Sequence, residues 1–550
     1  MRSLHPAPLL LLIVVSTACA GRNRPASAPA ALPAEATVLL PPVPRVTGPL
    51  AVRVVYPRPR AVINARDSNF IFGSTGHGDA VLTVNGSRVP VLPNGSWLAW
   101  LPVPPADAPS YTIVATVGSD TARLEHPVSI LPPRVVLAVP APGPGPEPSL
   151  RVPAAAPTPA PRSPVPDELV RTRDSTAVEY VTLGLPAVTA DTDAVVIGRP
   201  VAGGTYKYFF LPGTVVPVVA REGASVRVRL DSALDAWVAS SDTRPVTVDE
   251  VPPARRVVPN VRVLPAAGWT DVRIPVASRP PYEVQQTERS IVLTLYGTIA
   301  NTDIIQMHGA DTLVRNVTWT QAANDRAVYT VHLSAAPYGY LVLWDSGRVV
   351  LRVRRPPPVS EVRPLEGIRI AVDPGHPPIG ATGPTGLYEA VAVMAIGERL
   401  QRMLQERGAV VVMTRTGPEP VALGARPIIA RRADAHAFVS IHLNALPDGV
   451  NPFTAHGTGT YYFHPQSLSL ARFVQQGMVR RMGLRDLGVY YDNLAVVRQT
   501  WMPAVLCEGA FLMIPEQEAA LRTPEFQERY ARGVADGLEA YFRSLRAARE

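Results

Sequence analysis

Cysteine is almost missing from this chain: Cys19 and Cys507 are the only two in 550 residues. A disulfide framework is therefore excluded as the source of stability, which has to come from packed cores. Lysine is scarcer still, Lys207 being the only one. The basic charge is carried by arginine, a bias of genome composition rather than of function. Long apolar runs are also lacking. The longest, residues 9–15, is too short to span a bilayer as a helix. Neither a basic run nor an aromatic-plus-basic stripe is found, which argues against nucleic acid as a partner. What is present is a net charge of +8 and a pI near 9.6, suited to anionic surroundings such as a wall polymer or lipid headgroups. The 47% hydrophobic content supports folded material at a length that exceeds a single core. Proline is abundant, at 61 residues, twofold over the usual ~5%.

The first twenty residues read as an export signal. Arg2 supplies a short positive region, the apolar run follows, and Ser16-Thr17-Ala18 precede Cys19. This pattern resembles a bacterial lipoprotein signal (residues 1–19), with Cys19 as the lipidated first residue and a membrane anchor. Ser16 stands where that pattern prefers leucine. Ordinary cleavage after Ala18-Cys19-Ala20 is the alternative. Both readings place the chain outside the cytoplasm: in the periplasm on the outer membrane if lipidated, otherwise secreted to the envelope. With Cys19 lipidated, no intramolecular disulfide remains.

Two proline- and alanine-rich stretches, residues 20–47 and 132–168, read as semi-rigid spacers of polyproline type. Between and after them lie three β-rich segments. In residues 48–131, Asn85-Gly86 between alternating apolar runs is a two-residue hairpin signal, and Asn94-Gly95 marks a second turn. The segment resembles an immunoglobulin-like β domain. Residues 169–251 look like an SH3-type module, with Trp237 as a core anchor or a ligand platform. Residues 260–355 carry strand candidates at 271–276, 290–295, 327–333 and 349–353, and their order resembles the AMIN modules that precede wall amidases. His332 reads as a strand residue rather than a ligand.

From residue 366 to 545 the pattern changes to alternating strands and helices. Strand candidates are 368–372, 410–413, 437–441 and 504–506, and helix candidates are 391–407, 470–482 and 524–545. This rhythm predicts an α/β domain with a mostly parallel sheet and helices on both faces, preceded by the three small all-β modules. In such sheets the reactive groups collect beyond the carboxyl ends of the strands. Three sets do so here: Asp373-Pro374-Gly375-His376, Ser440-Ile441-His442-Leu443-Asn444, and Glu508 at the end of the last strand. Glu389 stands at the start of the first helix. Two imidazoles and a carboxylate are the donor set of a catalytic zinc site with one position open to water, and a further carboxylate nearby can act as base.

Those residues, with Pro503-Ala504-Val505-Leu506-Cys507-Glu508-Gly509-Ala510-Phe511, make the segment similar to the N-acetylmuramoyl-L-alanine amidases of the Amidase_3 type. Supporting matches are Thr414-Arg415, Arg426, residues 457–462 and Gly488-Val489. The resemblance covers roughly 175 residues in order. It implies Zn2+ on His376, Glu389 and His442, Glu508 as catalytic residue, and peptidoglycan as partner. The reaction implied is cleavage of the amide between N-acetylmuramic acid and L-alanine, in wall remodelling or daughter-cell separation. A protein activator is compatible with it. Asn444 is a candidate to orient the imidazoles.

The sequence departs from the family in having Pro377-Pro378 in place of two glycines and Ala390 in place of a basic residue. Strand alternation turns Cys507 away from Glu508, into the core. His436, His456 and His464 read as structural, the last two near enough to reach substrate. The short stretch between Asn444 and Gly457 has no room for the blocking helix some relatives carry. Two other readings stay open: a zinc peptidase on stem peptides, and a catalytically silent wall-binding scaffold.

Overall fold

The computed structural model describes residues 40–130, 178–184, 195–246, 250–253 and 255–547. The signal sequence with Cys19, most of the first spacer and the 132–168 spacer lie outside the described residues.

The β-rich half forms sheets around separate cores. In the first segment, a three-stranded sheet (Arg53–Tyr56, Ser68–Ser74, Ser96–Pro102) lies over a four-stranded one built on Val81–Val84 and Ser110–Val117. They share a core of Ile71, Leu82, Trp97, Tyr111 and Ile113. The hairpin turn forms where Asn85-Gly86 predicts it, both residues with positive φ, at 50° and 77°. A seven-stranded antiparallel sheet follows, running from Tyr180 to Pro245, and buries Ala236 and Val238 on either side of half-buried Trp237. The third segment, Arg256 to Arg354, is a five-stranded and a four-stranded sheet around one valine- and leucine-rich core. Its four predicted strands are all present. His332 is on one of them, with Nε2 3.0 Å from the Thr318 hydroxyl.

The C-terminal segment is a six-stranded sheet with helices. Its elements are β1 (Arg369–Pro374), α1 (Glu389–Glu406), β2 (Val410–Met413), α2 (Ala425–Arg432), β3 (Ala437–Asn444), β4 (Thr458–Tyr462), α3 (Leu468–Met482), β5 (Asp486–Tyr491), β6 (Ala504–Phe511), α4 (Pro515–Leu521) and α5 (Pro524–Ala547). The strand order is β2-β1-β3-β6-β4-β5. All neighbours are parallel except β6 and β4. The sheet is thus mostly parallel, with one antiparallel junction that the sequence pattern did not reveal.

One face of this sheet packs against α1, α3 and α5, with Ile396, Leu400, Val474, Phe526 and Leu538 fully buried among Val372, Val439 and Cys507. The other face packs on α2, on Trp501 and Met502, and on Leu341 from the third β segment. Helix α1 starts without a side-chain cap, at Glu389 itself, and ends before Gly408, whose φ of 89° stops it. No helix among the described residues is long and apolar enough to cross a membrane.

Candidate metal centre

Parallel register sets out the site. His442 of β3 pairs with Glu508 of β6, so both side chains leave the same face near the carboxyl ends of adjacent strands. His376 follows β1, and Glu389 opens α1 beside them. His376 Nε2 lies 3.1 Å from Glu389 Oε2, and His442 Nδ1 lies 3.0 Å from Glu389 Oε1. One donor atom from each of the three residues falls within 4.8 Å of the others, and no other such group occurs among the described residues.

Glu389 is held by the backbone as well. Its two oxygens accept hydrogen bonds from Ala381 N at 2.8 Å and Leu443 N at 3.0 Å. Burial works to raise its pKa, but the hydrogen bonds from His376 and His442 outweigh that and hold it at about 2. It is therefore an anion already placed for a cation. Glu508 is the opposite case. Burial first, and the Glu389 charge second, push its carboxyl well above the ordinary range. Its Oε2 is buried without a hydrogen-bond partner. A half-buried acid whose buried oxygen is unsatisfied, beside two imidazoles and a carboxylate, fits a site built for a divalent cation and a water.

The surroundings explain how the chain fixes these groups. Gly375 is obligatory, since a Cβ there would stand 2.3 Å from the His442 ring. Beyond it His376 has a positive φ of 57°. Two buried arginines grip this loop through its carbonyls. Arg426 donates to His376 O at 2.7 Å, Pro374 O at 3.1 Å and Asp373 Oδ1 at 2.8 Å. Arg415 donates to Pro374 O at 2.8 Å and Gly375 O at 3.0 Å. Asp373 also accepts from Ser440 Oγ at 2.6 Å and from the Thr414 hydroxyl.

Two contributors were not legible in the sequence. Glu518 of α4, fully buried, accepts from Thr385 N at 2.8 Å, Leu387 N at 3.0 Å and Thr385 Oγ1 at 2.9 Å, pinning the loop between His376 and Glu389. Tyr530 of α5 lies beneath both strand ends. Its hydroxyl is 2.8 Å from Cys507 O and 3.1 Å from His442 O, and it accepts from Gly509 N at 3.1 Å. Neither position carries a motif; a polar residue on an amphipathic helix signals no more than a helix.

The remaining candidates fall outside the cluster. His436 contacts Arg369 N and side chain. His456 Nδ1 accepts from Gln517 Nε2 at 2.7 Å, and His464 Nε2 donates to Arg498 O at 2.6 Å. Asn444 Oδ1 accepts from Ala445 N, and Asn444 also bonds Tyr461, so its contacts go elsewhere than to the imidazoles. Cys507 is fully buried on the opposite face of β6, as its position in the strand predicts.

Fold and donor set together define a class: an α/β domain whose strand ends present the two-histidine, one-carboxylate cluster typical of catalytic zinc. Comparison with known proteins gives the family. Residues 370–540 match the model of the Amidase_3 family, N-acetylmuramoyl-L-alanine amidase. The chain is 31% identical to the uncharacterized protein YqiI of Bacillus subtilis over 208 residues, which are 36% of this chain and 98% of that one. It is 32% identical over 187 residues to the "Probable cell wall amidase LytH" of Staphylococcus aureus, covering 33% of this chain and 61% of LytH. Among solved structures, the N-acetylmuramoyl-L-alanine amidase from Clostridium difficile 630 is 32% identical, over 32% of this chain and 97% of that one, with a TM-score of 0.31. The chain belongs to this amidase family, and residues 370–540 form its N-acetylmuramoyl-L-alanine amidase domain. The matched segment leaves the preceding β sheets unassigned.

Proposed function

We infer that this protein is a zinc-dependent hydrolase of the cell envelope that cuts the amide between N-acetylmuramic acid and L-alanine in peptidoglycan. The observation that carries the reading is the unsatisfied Glu508 carboxylate beside the clustered donors of His376, Glu389 and His442. Those three residues would hold the metal. Zinc bound there would supply Lewis acidity, lowering the pKa of water to about 7 and polarising a carbonyl.

The chain's own part is proton transfer and positioning. Glu508 takes a proton from the attacking water while the oxygen joins the lactyl carbonyl carbon. The same carboxyl then gives that proton to the alanine nitrogen as the C–N bond breaks, leaving a lactyl carboxylate and a free amine. The Glu389 carboxylate, charged across the whole physiological range, keeps the two imidazoles in fixed orientations for binding. The β segments are read as modules that place the domain on the wall, the AMIN-like reading of residues 260–355 resting on strand order. A lipid anchor on Cys19 would fix the protein to the outer membrane from the periplasmic side.

The test is mass spectrometry of purified sacculi digested by the zinc-loaded full chain. Release of stem peptides with a free L-alanine amine, abolished by chelation and by Glu508→Ala, is the expected result. Products that keep the lactyl amide and carry cut peptide bonds would overturn it in favour of a peptidase.

A further inference from the structure

The first β segment does more than precede the amidase domain; it reaches its active-site rim. The loop after β3 places Asp448 against it, where the carboxylate accepts from the Tyr56 hydroxyl, from Asn64 N at 2.9 Å and from Asn69 Nδ2 at 2.9 Å. Gly449 N donates back to Asn69 Oδ1 at 3.1 Å. Phe70, Phe72 and Leu98 pack on Phe511, Met513 and Ile514, which end and follow β6. The contact is thus polar at one edge and apolar through its centre.

Beside this contact lies a cavity of about 540 Å³ with walls from both segments. One wall is Ile379, Gly380 and Tyr388, from the loop joining His376 to Glu389. Gly380 abuts the metal cluster: a Cβ there would stand 2.5 Å from Glu389 Oε2 and 2.8 Å from His376 Nε2. The opposite wall carries Arg53 and Arg58 from the first β segment. Both are exposed, and no hydrogen bond or ion pair of either side chain occurs among the described residues. No acidic side chain lines the cavity. Two unpaired guanidinium groups over an apolar floor, on a cavity separated from the metal cluster by the Gly380 backbone, suit carboxylates on an extended ligand.

We propose that the first β segment supplies a substrate subsite in which Arg53 and Arg58 bind carboxylates of the acidic stem peptide whose amide is cut next door. The proposal rests on the amidase reading above and deepens it: peptide selection is shared between two segments of the chain, and the amidase domain alone holds half of the cleft. Arginine suits the task because its planar fork meets a carboxylate with two parallel hydrogen bonds, which lysine cannot do.

The experiment uses the zinc-loaded full chain and two probes, N-acetylmuramoyl-L-alanine and N-acetylmuramoyl-tetrapeptide, the second carrying additional carboxylates along its stem. In Arg53→Ala/Arg58→Ala, KM for the tetrapeptide probe rises at least tenfold with kcat little changed. The loss in kcat/KM is at least fivefold larger for the tetrapeptide probe than for the alanine probe. Arg53→Lys/Arg58→Lys restores part of it. Equal losses on both probes, or none on either, overturn the subsite. A wild-type chain that cleaves neither probe refutes the amidase reading instead. Calorimetric binding of the free tetrapeptide then decides the subsite: binding that the double alanine variant loses supports it, and binding that is absent or unaffected overturns it.

Discussion

Removing one oxygen from Tyr530 should weaken the domain and blunt its active site together. The hydroxyl is fully buried and serves three backbone groups, accepting from Gly509 N and donating toward Cys507 O or His442 O. Tyr530→Phe keeps the ring and opens no cavity, so its whole effect comes from the orphaned groups. Stranding a buried partner costs about 1–3 kcal/mol. One N–H and one carbonyl lose the hydroxyl as a partner. An expected loss of about 2–3 kcal/mol lowers the Tm of a domain this size by roughly 5–10 °C. The same tie sets the spacing of the strand ends carrying His442 and Glu508, so kcat should fall about tenfold or more with zinc retained. Calorimetry of the full chain, metal analysis and muropeptide turnover read the three quantities. A Tm within 1 °C of wild type, with full turnover, would refute the argument that this hydroxyl braces the site.

Other perturbations separate the roles of the site. Glu508→Gln should lower turnover by about 10²–10⁴ while metal analysis still finds zinc, because the ligand set is intact. Glu389→Ala should lose the metal, since it takes away the carboxylate that bridges both imidazoles; dialysis followed by zinc determination checks this. Asp448→Ala should loosen the first β segment by removing three hydrogen bonds, visible as faster amide exchange at Asn64 and Asn69. Acid should destabilise the fold through His436 and His464. Burial lowers each from 6.5 to about 4, with Arg354 and Arg369 adding to the effect at His436. Stability held by their neutral forms is full above about 6.5 and is lost as the pH falls toward 4; a His464→Gln chain should show a shallower decline of Tm across that window.

The α/β half was legible because its signals are local. Apolar runs of four to six residues, Gly408 as a stop and a glutamate at a helix start need no knowledge of the rest of the chain. Three of the four chemical residues follow from the rule that strand ends collect reactive groups, while Glu389 opens the first helix, and the register of β3 against β6 sets two of them side by side. What escaped depends on distant partners. Strands β4 and β5 contain no continuous apolar run, their threonines, glycines and tyrosines giving no apolar strand signal, and the antiparallel pairing of β4 with β6 has no periodicity to betray it. Glu518 acts on a loop over a hundred residues away, and Tyr530 on strand ends over twenty residues away. The docking of the first β segment did leave a trace. Phe70-Ile71-Phe72 breaks strand alternation because Ile71 enters the sandwich core while both phenylalanines face the amidase domain.

The position of Tyr530 along the chain has a temporal consequence. A nascent polypeptide extended through Phe511 already contains His376, Glu389, His442 and Glu508, yet the brace beneath them belongs to α5. Synthesis runs from the N-terminus, so the cutting geometry is among the last features to be completed. A chain arrested or clipped before residue 530 would carry every chemical group and still be a poor blade.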